Sequence, residues 1–113
     1  MSSGFIDSDL LIIKTSESSF KNAKKLANEI LNMRLAACIS FCKIDSIYWW
    51  EEELEENSEV QLTIKTRLDL LNDIYIAIKN LHSYKLPEFI FFRASTSKEY
   101  NCWMEEVSKQ ANA

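Results

Sequence analysis

The side chains in this sequence best suited to bind a soft or borderline metal ion are its one histidine and its three cysteines. Such metals prefer imidazole and thiolate, so His82 and Cys38 are predicted as candidate metal ligands. Each also has a plainer interpretation. His82 follows a predicted helix, where a histidine commonly hydrogen-bonds the terminal carbonyls, and Cys38 lies in a predicted strand, where a small thiol packs well. The sequence leaves both interpretations open.

Cys38 and Cys42 do not have the spacing of a metal-binding pair. Four residues along an extended strand separate them by about 13 Å, whereas a metal–sulfur bond is about 2.3 Å long. One ion cannot take both thiolates without a sharp bend. Cys102 falls in the last predicted helix, where we expect a structural role.

Residues that could carry catalysis are scarce. The one glycine, Gly4, lies in the polar segment MSSGFIDSD, so the chain has no glycine-rich loop that could hold a phosphate. A single histidine leaves few ways to build a nucleophile–base pair. We therefore predict no catalytic residues and a protein that is not an enzyme.

Size and charge exclude further classes of protein function. With 113 residues the chain has the length of one domain, which we place at residues 9–113 after a flexible N-terminal leader at residues 1–8. A net charge of -4 argues against binding to nucleic acid or to an anionic membrane. The apolar runs are far shorter than the roughly 20 residues that cross a bilayer. An odd number of cysteines fits a reducing compartment, so we expect a cytoplasmic protein.

The first two elements follow from the apolar pattern. Residues 9–15 form a short apolar run typical of a buried strand. Ser16 is then predicted to cap a helix, with Glu17 in its first turn. The residues predicted to lie on one face of this helix follow at steps of three and four positions. They are Phe20, Ala23, Ala27, Ile30, Leu31 and Arg34.

Strand patterns of period two come next. Residues 37–41 alternate between two faces, and the alternation slips across residues 42–46, which predicts a bulge or a bend inside one long strand. Residues 60–65 alternate between apolar and polar side chains and form the clearest half-buried strand in the chain.

The last third of the chain predicts two helices and a strand. Thr66 followed by Asp69 resembles a capping box for a helix whose stripe is formed by residues 71, 74, 78 and 81. After Pro87, the apolar run at residues 89–92 is typical of a strand covered on both faces. The hydroxyl residues at 95–97, two serines and a threonine, can cap a last helix, which carries Tyr100, Trp103, Met104 and Val107 on one side.

The predicted order is therefore β-α-β-β-α-β followed by a helix, with the two middle strands joined as an extended β-hairpin. This order predicts an α+β fold. It is the ferredoxin-like split β-α-β sandwich, with helices on one face of an antiparallel sheet and an additional C-terminal helix.

The predicted hairpin carries Tyr48, Trp49 and Trp50 in succession, followed by glutamates at its tip. Neighbouring side chains on a strand point to opposite faces, so these rings cannot all pack under one layer of helices. Each such ring buries about 150–250 Å² when it is covered. We therefore expect neighbouring copies of the chain to cover them and assign the three aromatics to that interface.

Four stretches taken together resemble the CutA divalent-cation-tolerance family. They are RLAACI at residues 34–39, SIYWWEEELEENSEVQLTIKT at 46–66, HSYKLPE at 82–88 and EYNCWM at 99–104. The resemblance implies a ferredoxin-like protomer, a homotrimer assembled through the long hairpins, and an architecture similar to that of PII signalling proteins. It also implies binding of divalent metal ions, copper in particular, for which His82 and Cys38 are the candidate ligands here. No established enzymatic reaction accompanies the family.

The sequence departs from the family pattern at several positions. Glutamates occupy residues 51–53 in the hairpin turn, where the family has a glycine, so the turn conformation stays open. Ser83 and Lys85 replace a proline and an acidic or polar residue, which predicts a less rigid loop. Lys14 falls on a position that binds copper in some family members, so a site of that kind would be incomplete here.

Lys65, Tyr84 and Glu88 match polar positions that lie near the clefts between subunits in the family. They predict either hydrogen bonds between subunits or a pocket for a small ligand. The pocket leads to an alternative function by analogy with PII-like architecture: a signalling or interaction trimer that binds a small anion or a partner protein.

Overall fold

The computed structural model describes residues 4–6 and 9–108. Within them, β2 (Leu10–Glu17), β3 (Cys38–Trp50), β4 (Glu53–Arg67) and β5 (Ile90–Arg93) form an antiparallel sheet in the order β3-β4-β2-β5. β1 (Phe5–Ile6) pairs separately with β6 (Thr96–Ser97). The helices are α1 (Phe20–Asn32), α2 (Leu71–Leu81), which follows a 3-10 turn (Leu68–Leu70), and α3 (Lys98–Val107). This arrangement confirms the predicted ferredoxin-like fold and its C-terminal helix.

The core lies between one face of the sheet and the helices α1 and α2. Alternate residues of the central strands point to this face and are fully buried: Leu11, Ile13, Leu62 and Ile64. They pack against the apolar stripes of the helices, which are Ala23, Leu26, Ala27, Ile30, Ile74 and Ile78. Burial of each leucine or isoleucine stabilises the fold by about 1.5–3 kcal/mol.

α3 lies beside the opposite face of the sheet. Lys65 alternates with the buried Ile64 and so points away from the core, and its Nζ lies 5.6 Å from the centroid of the Tyr100 ring of α3. Ser97 caps α3 by accepting a hydrogen bond from the Tyr100 backbone N–H at 3.1 Å. This cap lies within residues 95–97, as predicted.

The predicted start of α1 is wrong. Ser16 and Glu17 belong to β2, and Ser19 caps the helix by accepting a hydrogen bond from the Asn22 backbone N–H at 3.1 Å. Glu17 is only 1% exposed, because its carboxylate binds the distant Ser83. A contact between residues far apart in sequence therefore extends the strand past the first serine that could begin a helix.

The predicted capping box at Thr66 and Asp69 is also wrong. Thr66 is fully buried in β4, where its hydroxyl donates a hydrogen bond to the Leu35 carbonyl at 2.5 Å. Arg67 occupies the N-cap position without a capping side-chain hydrogen bond and forms an ion pair with Asp69 at 2.5 Å. The threonine hydroxyl therefore forms a buried hydrogen bond in the core and does not cap the helix.

β3 and β4 form an uninterrupted ladder, from Cys38 opposite Lys65 to Trp50 opposite Glu53. Each step along β3 is matched by one step along β4, so of the predicted bulge or bend at residues 42–46 the bulge is absent. The apolar–polar alternation is lost in the sequence for another reason. This part of β3 extends beyond the core, so its side chains do not alternate between a helix-covered face and an open face.

The hairpin turn consists of Glu51 and Glu52, whose φ angles are 49° and 67°. Left-handed backbone at both central residues is what the two-residue type I′ turn requires. Residues other than glycine adopt it at a cost of about 1–2 kcal/mol each. The turn therefore keeps the geometry for which asparagine and glycine are usually selected.

The hairpin extends well beyond the rest of the sheet. β2 ends at Glu17, opposite Val60. Among the described residues, the segment 53–59 of β4 therefore pairs only with β3. The chain accordingly measures 54 × 31 × 22 Å. In the part of one chain that the structure describes, neither long edge of this segment has a strand partner.

Two further predictions do not agree with the structure of a single chain. The apolar run at residues 89–92 is not covered on both faces, since Ile90, Phe91 and Phe92 remain 53%, 49% and 48% exposed. The predicted leader contains the paired strand β1, while residues 1–3, 7 and 8 lie outside the described part of the chain.

A candidate ligand-binding cleft beside the hairpin

A cleft of about 660 Å³ lies between the projecting part of the hairpin and the loop that follows α2. Its walls come from four segments: the end of β2, the two hairpin strands and residues 83–88. The lining residues are Ser16, Ser46, Tyr48, Trp49, Trp50, Glu59, Ser83, Tyr84, Lys85, Leu86, Pro87 and Glu88.

His82 holds the start of this loop against β2. Its Nε2 lies 2.7 Å from the Ser16 carbonyl oxygen, which can only accept, and the Tyr84 backbone N–H donates to Nδ1 at 3.0 Å. The ring is therefore the neutral tautomer with its proton on Nε2. The His82 side chain is 0% exposed.

Glu17 is the second anchor of the loop. Its carboxylate accepts hydrogen bonds from the Ser83 backbone N–H and the Ser18 backbone N–H, both at 3.0 Å, and from the Ser83 hydroxyl. His82 Nδ1 lies 3.5 Å from the same carboxylate. These bonds explain how the loop stays in place although Ser83 replaces the proline of the family pattern.

The predicted metal ligands lie apart. Cys38 is a half-buried free thiol opposite Lys65, which pairs with Ile12 of β2. Ile12 is four residues from Ser16, where His82 binds, and this spacing corresponds to about 13 Å along a strand. Among the described residues, no group of three or more histidine, cysteine, aspartate and glutamate side chains converges in a way that could hold a metal ion.

Two carboxylates face the cleft. Tyr84 donates its hydroxyl hydrogen to Glu59 Oε2 at 3.0 Å, and Ser16 donates to Glu88 Oε1 at 3.2 Å. Burial and then the hydrogen bond to the Glu59 carboxylate raise the pKa of the Tyr84 phenol well above its usual range. Tyr84 is therefore a neutral hydrogen-bond donor at physiological pH.

The structure brings together two of the three predicted pocket residues. Tyr84 and Glu88 both line the cleft, whereas Lys65 lies on the Tyr100 ring of α3 and does not. Sequence reasoning missed Ser16 and Glu59. The pairing of β2 with β4, which places Ser16 opposite Gln61, was the signal that could have located both of them on one face.

The aromatic row of the hairpin divides between the two faces. Tyr48 and Trp50 point to the same side as Glu59 and line the cleft, and the Tyr48 hydroxyl accepts a hydrogen bond from Asn57. The opposite side carries an exposed apolar group, with Ile47, Trp49 and Leu54 at 66%, 71% and 60% exposure.

Comparison with known proteins identifies the family. The family model described as CutA1 divalent ion tolerance protein matches residues 11–107. The chain belongs to the CutA1 divalent ion tolerance family. The divalent-cation tolerance protein CutA of Pyrococcus horikoshii is 32% identical over 102 residues, which cover 89% of this chain and 100% of that protein. The family is named for tolerance of divalent ions and not for a reaction.

Solved CutA structures share the fold. The crystal structure of CutA1 from Pyrococcus horikoshii matches with a TM-score of 0.87 at 32% identity and covers 88% of this chain and 99% of that one. CutA from Synechococcus elongatus matches with a TM-score of 0.90 at 28% identity, over 95% and 97% of the two chains. Across the described residues, no helix of this CutA chain has both the length and the apolar character needed to cross a membrane.

Proposed function

We propose that this CutA chain is the protomer of a homotrimer that acts in tolerance of divalent cations, and that Tyr48, Trp49 and Trp50 contribute to its trimer interface. The observation that carries the trimer is the exposed apolar group on the projecting hairpin. Ile47 and Trp49 are 66% and 71% exposed in one chain, on a segment that its own helices do not reach.

Burial and hydrogen bonding both favour association of the hairpins. An aromatic ring that loses 150–250 Å² to a neighbour gains about 25 cal/mol per Å², which amounts to several kcal/mol for each copy. The unpaired edges of residues 53–59 and of β3 also offer backbone groups to strands of other copies. A closed ring of three copies leaves none of these edges free, whereas an open arrangement propagates.

Light scattering of the purified chain tests the assembly. We expect a mass three times that of the chain, and a shift toward the monomer in the variant Ile47→Ser. The matched control is Ile76→Ser, which removes a 58% exposed isoleucine from the outer face of α2 and should leave the trimer intact. A monomeric wild-type chain at high concentration would contradict the proposal.

For the cation we propose copper, since copper prefers thiolate and imidazole ligands. Of the two predicted ligands, Cys38 has the more accessible geometry, with a half-buried free thiol on the sheet face that α1 and α2 leave open. His82 can ligate only after one of its two ring hydrogen bonds to the backbone is released. The three free thiols also support the proposed cytoplasmic location.

Equilibrium dialysis against copper tests the ligands. We expect Cys38→Ser to weaken copper binding more than His82→Ala. Glu51→Gln, at the exposed hairpin tip, controls for unselective attraction of cations by carboxylates. Copper binding that survives both ligand substitutions would remove Cys38 and His82 from the site, and binding reduced equally by Glu51→Gln would show that the tip collects the metal.

A further inference from the structure

The cleft beside the hairpin has the charge of a cation-binding site. Glu59 and Glu88 line it together with a single lysine, Lys85, and the predicted third pocket residue, Lys65, lies elsewhere. The two carboxylates thus outnumber the one cationic group. A small anion, the ligand expected by analogy with PII-like architecture, would meet more repulsion than attraction here.

The carboxylates are held in place but are not saturated. Glu59 uses Oε2 to accept from Tyr84, and Glu88 uses Oε1 to accept from Ser16. A carboxylate has about four lone-pair positions on its two oxygens, so each can accept further hydrogen bonds. Both therefore offer fixed acceptors to a ligand that brings N–H donors.

The remaining walls suit the body of an organic molecule. Tyr48 and Trp50 present aromatic rings, and Leu86 and Pro87 add apolar surface on the loop side. Aromatic faces attract ammonium groups as well as apolar groups. A volume of about 660 Å³ lies in the range of small-molecule sites, which is about 300–1,000 Å³.

A bare metal ion fits the cleft less well. An ion requires several ligand atoms at one point, about 2.0–2.6 Å from its centre. No such group of three or more acidic, histidine or cysteine side chains exists in the part of the chain that the structure describes. An organic ammonium ion needs fewer acceptors around its nitrogen, because two carboxylates can take two of its N–H groups and its apolar body adds contacts with the rings.

We propose that this cleft binds an organic ammonium ion with an apolar or aromatic body. The ammonium group donates hydrogen bonds to Glu59 and Glu88, and the body lies against Tyr48, Trp50 and Pro87. Burial first, and then the Glu59 carboxylate, raise the pKa of Tyr84. The second of these causes agrees with a cleft that disfavours a further negative charge.

Three probes of one shape test the charge preference. Phenethylammonium, phenethyl alcohol and phenylpropionate are titrated into the full chain near neutral pH, and the change in tryptophan fluorescence, to which Trp50 in the cleft contributes, reports binding. We expect the ammonium to bind at least about tenfold more tightly than the other two, as charge-assisted hydrogen bonds are worth about twice neutral ones. Equal or tighter binding of phenylpropionate would overturn the proposal.

Substitutions test the two carboxylates. We expect Glu59→Gln to weaken phenethylammonium binding about tenfold, and the more exposed Glu88→Gln about threefold. Glu56→Gln is the matched control, because it removes one exposed charge from β4 on the side away from the cleft. An equal loss in Glu56→Gln would assign the attraction to general charge and overturn the site.

The site uses residues of one chain and goes beyond the proposed function, although Tyr48 and Trp50 also belong to the proposed trimer interface. The experiment must therefore separate the failure of the site from the failure of the trimer. Light scattering is therefore measured on the same samples. A trimer that shows no saturation with phenethylammonium below about 10 mM, as when a neighbouring copy fills the cleft, overturns the site alone. A monomer that binds the ammonium selectively supports the site and contradicts the trimer.

Discussion

At the scale of single residues, the raised pKa of Tyr84 links stability to alkaline pH. In the unfolded chain the phenol ionises near pH 10, whereas burial and Glu59 keep it protonated to higher pH in the fold. Above about pH 10 the folded chain keeps a proton that the unfolded chain loses, so the free energy of unfolding decreases as pH rises. We expect Tyr84→Phe to remove this part of the pH dependence in denaturant titrations across that range.

Glu59 provides the control for this assignment. Glu59→Gln removes the carboxylate but keeps the side-chain shape, so the pKa of Tyr84 should move back toward its ordinary value. Phenolate absorbance during an alkaline titration measures this shift. A wild-type slope in Tyr84→Phe would show that other groups cause the alkaline loss of stability.

Glu17 shows how a single buried carboxylate can determine the course of the chain. It is 1% exposed and binds the Ser83 and Ser18 backbone N–H groups. We expect Glu17→Gln to lower the free energy of unfolding by about 1–3 kcal/mol, since an amide cannot accept from all these donors and leaves one unpaired. Glu56→Gln, exposed on β4, should change it by less than about 0.5 kcal/mol.

A denaturant midpoint shared by Glu17→Gln and the wild type would contradict the anchoring role of the carboxylate. The same variants also report on the loop. Amide hydrogen exchange in the loop at residues 83–88 should accelerate in Glu17→Gln and stay unchanged in Glu56→Gln, because of these two glutamates it is Glu17 that accepts from the loop backbone.

At the scale of elements, the hairpin turn stores conformational strain. Glu51 and Glu52 both have positive φ, and asparagine and glycine adopt that backbone more readily. We expect the double variant Glu51→Asn, Glu52→Gly to raise the free energy of unfolding by about 1–2 kcal/mol. Thermal unfolding followed by circular dichroism measures the effect.

Loss of two negative charges alone could also stabilise the acidic tip, so the turn variant needs a charge-matched control. Glu55→Gln, Glu56→Gln removes the same number of charges from residues with strand backbone. If this control raises the melting temperature as much as the turn variant does, the gain comes from charge and not from φ.

The elements that could be predicted from the sequence are those whose pattern is set by the core. The alternation at residues 60–65 and the central positions of the helix stripes were correct, because these side chains pack against the same apolar layer. The predicted ends of two stripes were wrong: Phe20 and Leu81 are 50% and 42% exposed, and Arg34 lies beyond the end of α1.

The element ends were wrong where distant partners decide them: Glu17 stays in β2 because of Ser83, and Thr66 stays in β4 because of Leu35. Capping preferences depend only on residues that are close in sequence, so they contain no information about either contact.

The candidate site was only partly predictable for a similar reason. Tyr84 and Glu88 lie four residues apart in one loop, so a single motif contains both. Their hydrogen-bond partners, Glu59 and Ser16, come from two other strands and enter the cleft through sheet register. Register depends on which strands pair, and one sequence pattern does not specify that uniquely.

At the scale of the whole molecule, one copy of the chain leaves large apolar side chains uncovered. The sheet face next to α1 and α2 is buried, whereas the hairpin and β5 leave large apolar side chains half exposed or more: Ile47, Trp49, Leu54, Ile90, Phe91 and Phe92. Groups of large exposed apolar side chains are typical of sites of protein association. The protomer fold and the proposed trimer are therefore coupled through the hairpin.

This coupling predicts that stability depends on protein concentration. If three chains unfold together, dilution favours the unfolded chains by mass action, so the wild-type melting temperature should fall when the protein is diluted about a hundredfold. Ile47→Ser weakens the association in the proposal and should melt at a lower temperature that changes less on dilution. Ile76→Ser, which alters an exposed residue of α2, should keep the wild-type concentration dependence. A wild-type melting temperature that is unchanged by dilution would mean that one chain is stable alone, with its hairpin rings left in water.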